Sequence, residues 1–372
     1  MEPSKQALNL LALWLIPGLG PHRINRLLQT FGDVEGVLKA PIARLTGIKG
    51  ITSPLAASIA SAQESAEFER ECRLIEKYRL TIVSIADSQY PNRLREIYAS
   101  PPILYMKGEI AFNRGIYVGI VGSRKASYSG TSFCKKLVRQ LARFSSDIVI
   151  VSGLALGIDA AAHRSALECG LRTVAVLAGG LSGIYPHQHR DLSLEISSHG
   201  ALTTEFPIMT KPSPGNFPLR NRIISGTSHG VIVVEADTRS GALITAGYAL
   251  EQNRELFAVP GQVDSRYYRG TNNLIQRGHA KLIMGAEDVI EELQPALIPE
   301  KENREKSKTE NVNNLSTDEM AILKILEDKC MHSDALATEL NMPVQKVLAV
   351  LTTMEMKGLI AGKAGSQFQR IE

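Results

Sequence analysis

The chain predicts an α/β fold: a Rossmann-like, doubly wound, mostly parallel sheet, with a helical block before it and a winged-helix-like block after it. Three observations carry this. Short apolar runs without polar alternation recur through the middle of the chain, and such runs are strands buried on both faces, as in a parallel sheet covered by helices. Helical patterns lie between consecutive runs, as βαβ units require. Several runs end in glycine, where an open α/β sheet forms its binding crevice. At 372 residues the chain also exceeds the ~250–300 residues of a single compact core, so more than one domain is expected.

Residues 1–78 form the first block, a set of short helices of helix-hairpin-helix (SAM-like) character. Ile16-Pro17-Gly18-Leu19-Gly20 leads into a helix over 21–31, and a weaker copy, Leu45-Thr46-Gly47-Ile48-Lys49-Gly50-Ile51, leads into 53–62. The glycines let each hairpin turn tightly and offer free N–H groups at a helix N-terminus, which suits a phosphate. The same glycines also fit a packing module in which they only end helices. The apolar run 8–16 resembles a secretory signal, but it is short, Glu2 precedes it and no small-residue cleavage pattern follows. No run approaches the ~20 apolar residues of a membrane span, so a cytoplasmic protein is expected.

Residues 79–294 carry the sheet. Strands are expected at 116–121, 148–152, 173–177, 231–235 and 256–259, with helices at 129–143, 159–168, 189–197, 218–225 and 242–252. Residues 295–315, rich in Glu, Lys, Asn and Ser, read as a flexible linker, because they offer too little apolar surface to bury. Residues 316–372 read as three helices and a hairpin. Ser316-x-x-Glu319 is a capping box opening 318–328, Ser333 suits the cap of 334–340, and Pro343 sits in the first turn of 344–357. A DNA reader needs basic residues on its third helix. Here Lys346 and Lys357 stand beside Glu355, so DNA reading and protein docking stay equally open.

The charge balance permits a nucleic-acid partner without demanding one: 42 Lys and Arg stand against 38 Asp and Glu, so a binding face needs its cations gathered locally. The four cysteines, Cys72, Cys134, Cys169 and Cys330, never take C-x-x-C spacing, which argues against a zinc knuckle and for free thiols in a reducing compartment.

Four segments carry candidate chemistry. Gly122-Ser123-Arg124-Lys125 follows a strand and precedes a helix, so its N–H groups and the Arg124 fork suit a phosphate. The run lacks G-x-G-x-x-G spacing, so a dinucleotide cofactor is not expected. In the second segment Gly153 and Gly157 permit close backbone approach, Asp159 is placed to cap a helix, and packing accounts for His163. The third, from Lys211 to Ser225, is the most informative. Phe217 stands among Lys211, Arg220, Asn221 and Arg222, and an aromatic ring surrounded by cations suits a single strand: a base stacks on the ring while cations track phosphates. Arg220 is expected to point outward, and at least one other arginine of the segment to be partly structural; Arg222 is then paired with Glu205 or Glu235. In the fourth, Ser240-Gly241 again suits a phosphate, and Glu235 is the one candidate general base. His187 and His189 lack obvious further metal ligands. Thr271 is expected to cap a short helix facing the crevice, with Arg266 or Arg269 adding charge.

Together these runs resemble the DNA-processing protein A family, also called DprA or Smf. The resemblance rests on Tyr90-Pro91-x-x-Leu94, Pro101-Pro102-x-Leu104-Tyr105, Gly119-x-Val121-Gly122-Ser123-Arg124, Ser152-Gly153 through Asp159 and His163, Asn216-Phe217-Pro218-x-Arg220-Asn221-Arg222, Glu235-Ala236, Ser240-Gly241-Ala242-x-x-Thr245-Ala246, and Pro260-Gly261 through Gly270-Thr271-Asn272. It implies a protein that binds single-stranded DNA with little sequence preference and forms homodimers through its core. It further implies loading of RecA recombinase onto incoming DNA in natural transformation, against single-strand-binding protein, with no catalytic activity, cofactor or membrane role. The family's basic pocket falls here on Ser123, Arg124, Lys211, Phe217 and Arg220, with Asn221 and Arg222 close by. Position 214 is Pro, leaving Lys211 as the one cation of that loop; this either weakens the pocket or shifts part of the task to Lys125 and Arg266. The competing expectation is a nucleotide or phosphoribosyl hydrolase of the lysine-decarboxylase-like Rossmann type, resting on Glu235.

Overall fold

The computed structural model describes residues 3–293, 316–326, 331–356, 360–363 and 367–370. The chain divides into two compact units, Met1–Leu297 and Ile298–Glu372. The expected linker at 295–315 lies outside the described residues.

A nine-stranded sheet organises the first unit. Its strands are β1 (Thr81–Ser84), β2 (Ile103–Gly108), β3 (Ile116–Val121), β4 (Ile148–Ser152), β5 (Arg172–Val176), β6 (Gly200–Thr204), β7 (Gly230–Val233), β8 (Glu255–Ala258) and β9 (Lys281–Leu282). Their order is β1-β2-β6-β5-β4-β3-β7-β8-β9. Strands β6 through β9 run parallel along this order, while β1 pairs antiparallel with β2, and β2 with β6. The five strands read from sequence are present, shifted by one or two residues at some ends. β1, β2, β6 and β9 were not among them. β6 is Gly-Ala-Leu-Thr-Thr and fully buried. Its threonines resemble a turn in sequence, yet the Thr204 hydroxyl satisfies itself on the Leu177 carbonyl at 3.2 Å.

The pleat sorts the strand residues onto two cores. Tyr117 and Val121 of β3 join Val149 and Val151 of β4 on one face, under Ile223, Ile224, Ala246 and Ala249 of the helices Asn216–Thr227 and Ala242–Glu251. Ile116, Val118 and Ile120 join Ile148 and Ile150 on the other, under Leu137, Val138 and Leu141 of the helix Tyr128–Phe144 and Ala161 and Ala162 of the helix Ile158–Glu168. This two-residue alternation with both sides buried explains why the strands read as unbroken apolar runs.

The N-terminal helices pack against the β1–β2 side. Leu10, Leu11 and Leu13 of the helix Lys5–Trp14 share a core with Ile82, Ile103, Tyr105 and Leu202. Trp14 Nε1 donates to the Glu205 carbonyl at 2.8 Å. In the first hairpin Arg23 donates to the Gly18 carbonyl, and Arg26 to that of Lys49 at 2.9 Å, so both guanidiniums close turns.

In the second unit, the helices Thr317–Ile325, Ser333–Glu339 and Val344–Met356 enclose Ile322, Leu336, Val347, Leu351 and Met354. The strands Met331–His332, Gln367–Arg370 and Ile360–Lys363 form an antiparallel sheet in that order, which completes a winged-helix arrangement. The Ser316–Glu319 capping box is present. The next helix departs from expectation: His332, not Ser333, is its cap, its ring accepting from the Asp334 N–H. Lys346 pairs with Asp318 at 2.7 Å, and Lys357 lies outside the described residues. Among the described residues no helix is long and apolar enough to cross a membrane.

Candidate functional site

Neighbouring strands β3 and β7 leave the sheet in opposite senses, the chain passing from β3 to β4 on one side and from β7 to β8 on the other. Such a switch point opens a crevice at the strands' carboxyl ends. A cavity of about 790 Å³ lies there, lined by both strand-end turns, the start of the helix Asn216–Thr227, Tyr185 and the Arg266-Tyr267 pair. Five basic side chains line it, Arg124, Lys125, Arg220, Arg239 and Arg266, against two acidic ones, Asp159 and Asp237. The helices Asn216–Thr227 and Ala242–Glu251 start at its wall, and their positive ends reinforce the cationic field.

Of the residues singled out from sequence, Ser123, Arg124, Lys125, Phe217, Arg220, Asn221, Ser240 and Gly241 all line this cavity. Gly122 allows the turn to approach: a Cβ there would meet Ile158 at 2.6 Å. Ser123 Oγ accepts from the Lys125 N–H at 3.2 Å. The Arg124 guanidinium lies 4.8 Å from the Phe217 ring centroid, a cation–π distance. Tyr185, 52% exposed, meets the same ring edge-on at 6.1 Å. Phe217 is thus half-buried, with a guanidinium against it and a second aromatic at its edge. Asn221 Nδ2 donates to the Gly241 carbonyl at 3.3 Å, joining the two helix starts.

Arg220 corrects an expectation. It does not point outward: it is 4% exposed, and Nη1 donates to the Val176 carbonyl at 2.6 Å. Gly153 lies beneath it, where any Cβ would overlap the guanidinium. Gly153 therefore makes room for Arg220 and does not line the cavity. Burial lowers the Arg220 pKa to about 10, against the pull of Asp159, and the side chain stays charged at the cavity floor. Asp159 accepts from the N–H groups of Gly153 and Ala155 at 3.2 and 3.4 Å. It thereby ties down the preceding loop, while Gly157 holds the helix cap position expected for Asp159. Burial raises its carboxyl above the usual range, partly offset by Arg220.

Arg222 and Lys211 also depart from expectation. Arg222 is buried against Glu205 in an ion pair and lies outside the cavity. It is the structural arginine of the segment, and Glu205 is its partner. Burial raises the Glu205 carboxyl, with Arg222 pulling it back. Lys211 is exposed and also lies outside the cavity, whereas Lys125 and Arg266 line it. The cationic load therefore rests on Arg124 and Lys125 in the turn after β3, on Arg220 and Arg239, and on Arg266.

Glu235 is fully buried and accepts from the Ser127 N–H at 2.9 Å and from the Ser127 hydroxyl. It anchors the start of the helix Tyr128–Phe144 and does not reach the cavity, so the observation that suggested a general base has a structural cause. His163 Nδ1 lies 2.7 Å from Thr173 Oγ1, and burial drives its pKa down to about 3. His189 Nδ1 donates to the Leu154 carbonyl at 2.8 Å. Among the described residues no His, Cys, Asp and Glu group is placed to hold a metal. Thr271 donates to the Tyr268 carbonyl at 3.1 Å from within its helix and does not cap it. Sequence reasoning missed Tyr185, Arg239 and Tyr267 as lining residues. Arg239 lies one residue before Ser240, but nothing in the spacing showed that Tyr185 and Tyr267 converge on it.

The fold and cavity define a Rossmann-like α/β protein with a cationic crevice at its switch point. Residues 81–294 match the family model of DNA recombination-mediator protein A, and residues 306–366 match the DprA winged helix domain. The chain is 40% identical to the DNA processing protein DprA of Bacillus subtilis, over 73% of this chain and 93% of that protein. It is 32% identical to the protein Smf of Synechocystis, over 96% of this chain and 98% of that one. The solved DprA of Streptococcus pneumoniae superposes with a TM-score of 0.66 at 33% identity, covering 78% of this chain and 99% of that one. The DNA processing protein A of Helicobacter pylori, solved to describe its single-stranded DNA binding mode, gives 0.53 at 28% identity, over 59% of this chain and 97% of that one. The chain belongs to the DNA recombination-mediator protein A (DprA/Smf) family.

Proposed function

We propose that the chain binds single-stranded DNA in the switch-point cavity and passes it to a RecA-type recombinase during uptake and recombination of foreign DNA. The observation that carries this is the Phe217–Tyr185 ring pair set among five basic side chains. Rings accept unpaired bases and cations track the backbone, a combination that suits a single strand over a duplex. The contact set is Ser123, Arg124, Lys125, Phe217, Arg220, Asn221, Ser240 and Gly241, joined by Tyr185, Arg239 and Arg266. Gly153 and Arg222 hold it in place, and Lys211 meets the strand outside the cavity. The reading assigns no chemical step to the site and needs no cofactor.

The working unit is a homodimer formed through the core, acting in the cytoplasm against single-strand-binding protein. Exposed Leu282 and Met284, at the edge strand β9, support a self-association surface. Residues 1–78, 79–294 and 316–372 serve as helical, DNA-binding and winged-helix domains, with 295–315 as linker. Gel-shift titration of single- and double-stranded oligonucleotides tests the central reading. Wild type is expected to prefer the single strand, and Arg124→Ala or Phe217→Ala to lose about tenfold or more, in line with ~1–3 kcal/mol per stacked base. Equal affinity for duplex and single strand overturns it.

A further inference from the structure

A second groove, of about 420 Å³, lies between the helices Tyr128–Phe144 and Ile158–Glu168. Thr131 and Lys135 line it from the first helix, Gly157, Ala161 and Arg164 from the second, with His189 at the base. Lys135 and Arg164 are exposed, and among the described residues neither has a salt-bridge partner. The first helix contains no Asp or Glu in 17 residues, and Lys135, Arg139 and Arg143 follow one another at four-residue spacing. That spacing lines them along one helix face. Tyr128 lies two turns ahead of Lys135 on the same face and is 91% exposed.

The groove adjoins the cavity already described. Ala155 lines the cavity and Leu156 and Gly157 line the groove, so three consecutive residues divide them. Gly157 permits this close passage: its φ is +79°, and a Cβ there would overlap the Ser123 carbonyl. Likewise Lys125 lines the cavity and Thr131 the groove, with Tyr128 between them in sequence. Unpaired cations in file beneath an exposed ring are the elements of a single-strand track, a ring for a base and charges for successive phosphates.

We propose that single-stranded DNA leaves the cavity across the 155–157 segment and continues along this groove, its phosphates on Lys135 and Arg164 and a base against Tyr128. The proposal rests on the single-strand reading of the cavity and extends the bound length beyond it. It commits to a polynucleotide backbone, since Lys135 and Arg164 face the groove from two helices while Arg139 and Arg143 extend the line of cations along the first, beyond the groove.

The test compares oligothymidines of about 6 and about 20 nucleotides, within and beyond the ~4–16 nucleotide footprints of single-strand binders. The full chain is used as wild type, Lys135→Glu/Arg164→Glu, Lys135→Ala/Arg164→Ala and Tyr128→Ala, with thermal melting to verify folding. All three variants are expected to keep wild-type affinity for the short strand and to lose about tenfold on the long one. For the double variants, the dependence of log affinity on log salt should flatten by about 0.7 for each phosphate no longer neutralised. Unchanged affinity and salt slope on the long strand overturn the proposal, including the case in which the groove takes an acidic protein segment. An equal loss on both lengths also overturns it, because a general field and not a track then explains the effect. If the wild type fails to bind even the short strand, the cavity reading falls and takes this proposal with it.

Discussion

At the scale of single residues, the two arginines of the 220–222 turn divide two tasks. Arg222 is sealed against Glu205, and removing one partner of a buried ion pair costs ~3–5 kcal/mol because the other charge is left unpaired. Arg222→Ala is therefore expected to lower the urea midpoint sharply, read by circular dichroism, while any loss of DNA affinity follows the loss of fold. Arg220 stays charged at the cavity floor. His163 supplies a pH signature. Its native imidazole stays neutral down to about 3, whereas the unfolded side chain titrates near 6.5. Between these values the unfolded state binds the extra proton, so this contribution is fully present above about 6.5 and is lost progressively as pH falls toward 3. The raised carboxyls of Asp159 and Glu205 act in the opposite sense, so the diagnostic quantity is a difference between variants. His163→Gln should lose less stability than wild type between about pH 7 and pH 5 in urea titrations; parallel losses would show that another group controls the acid response.

At the scale of elements, glycines decide how closely segments approach. Gly153 leaves the gap that the Arg220 guanidinium fills. Gly153→Ala is expected to expel that guanidinium, costing ~1–3 kcal/mol through lost hydrogen bonding and weakening single-strand affinity more than the conservative Lys125→Arg change does. Glu235 ties the start of the helix Tyr128–Phe144 to the end of β7 through Ser127. Glu235→Ala should cost ~1–3 kcal/mol of stability and leave DNA affinity within about twofold when assayed well below the melting temperature. Appearance of nucleotide hydrolysis in the wild type and its loss in this variant would revive the hydrolase reading.

At the scale of the whole molecule, each unit has its own core. The clusters of the first unit draw on residues up to Leu293, and that of the second begins at Ile322. A chain ending at residue 297 is therefore expected to melt cooperatively within a few degrees of the full chain in calorimetry. A broad, early transition would mean that the units fold as one. The five-to-two excess of basic over acidic residues at the cavity also predicts steep salt dependence of DNA binding, at ~0.7 per contacted phosphate, although the net charge of the chain is only +4.

Much of this was legible in the residues alone. Unbroken apolar runs mean burial on both faces, so β3, β4, β5, β7 and β8 and the doubly wound layering followed from hydrophobicity and period, and the glycine-ended strands marked where the cavity opens. Three-dimensional packing decided what local pattern does not encode. Whether a cation faces solvent or a carbonyl depends on groups distant in the chain, as with Arg220 on the Val176 carbonyl, 44 residues away. The convergence of Tyr185, Arg239 and Tyr267, the buried polar strand β6 and the groove beside Lys135 have the same origin: each is a property of surfaces brought together by the chain's return, and only the folded sheet supplies them.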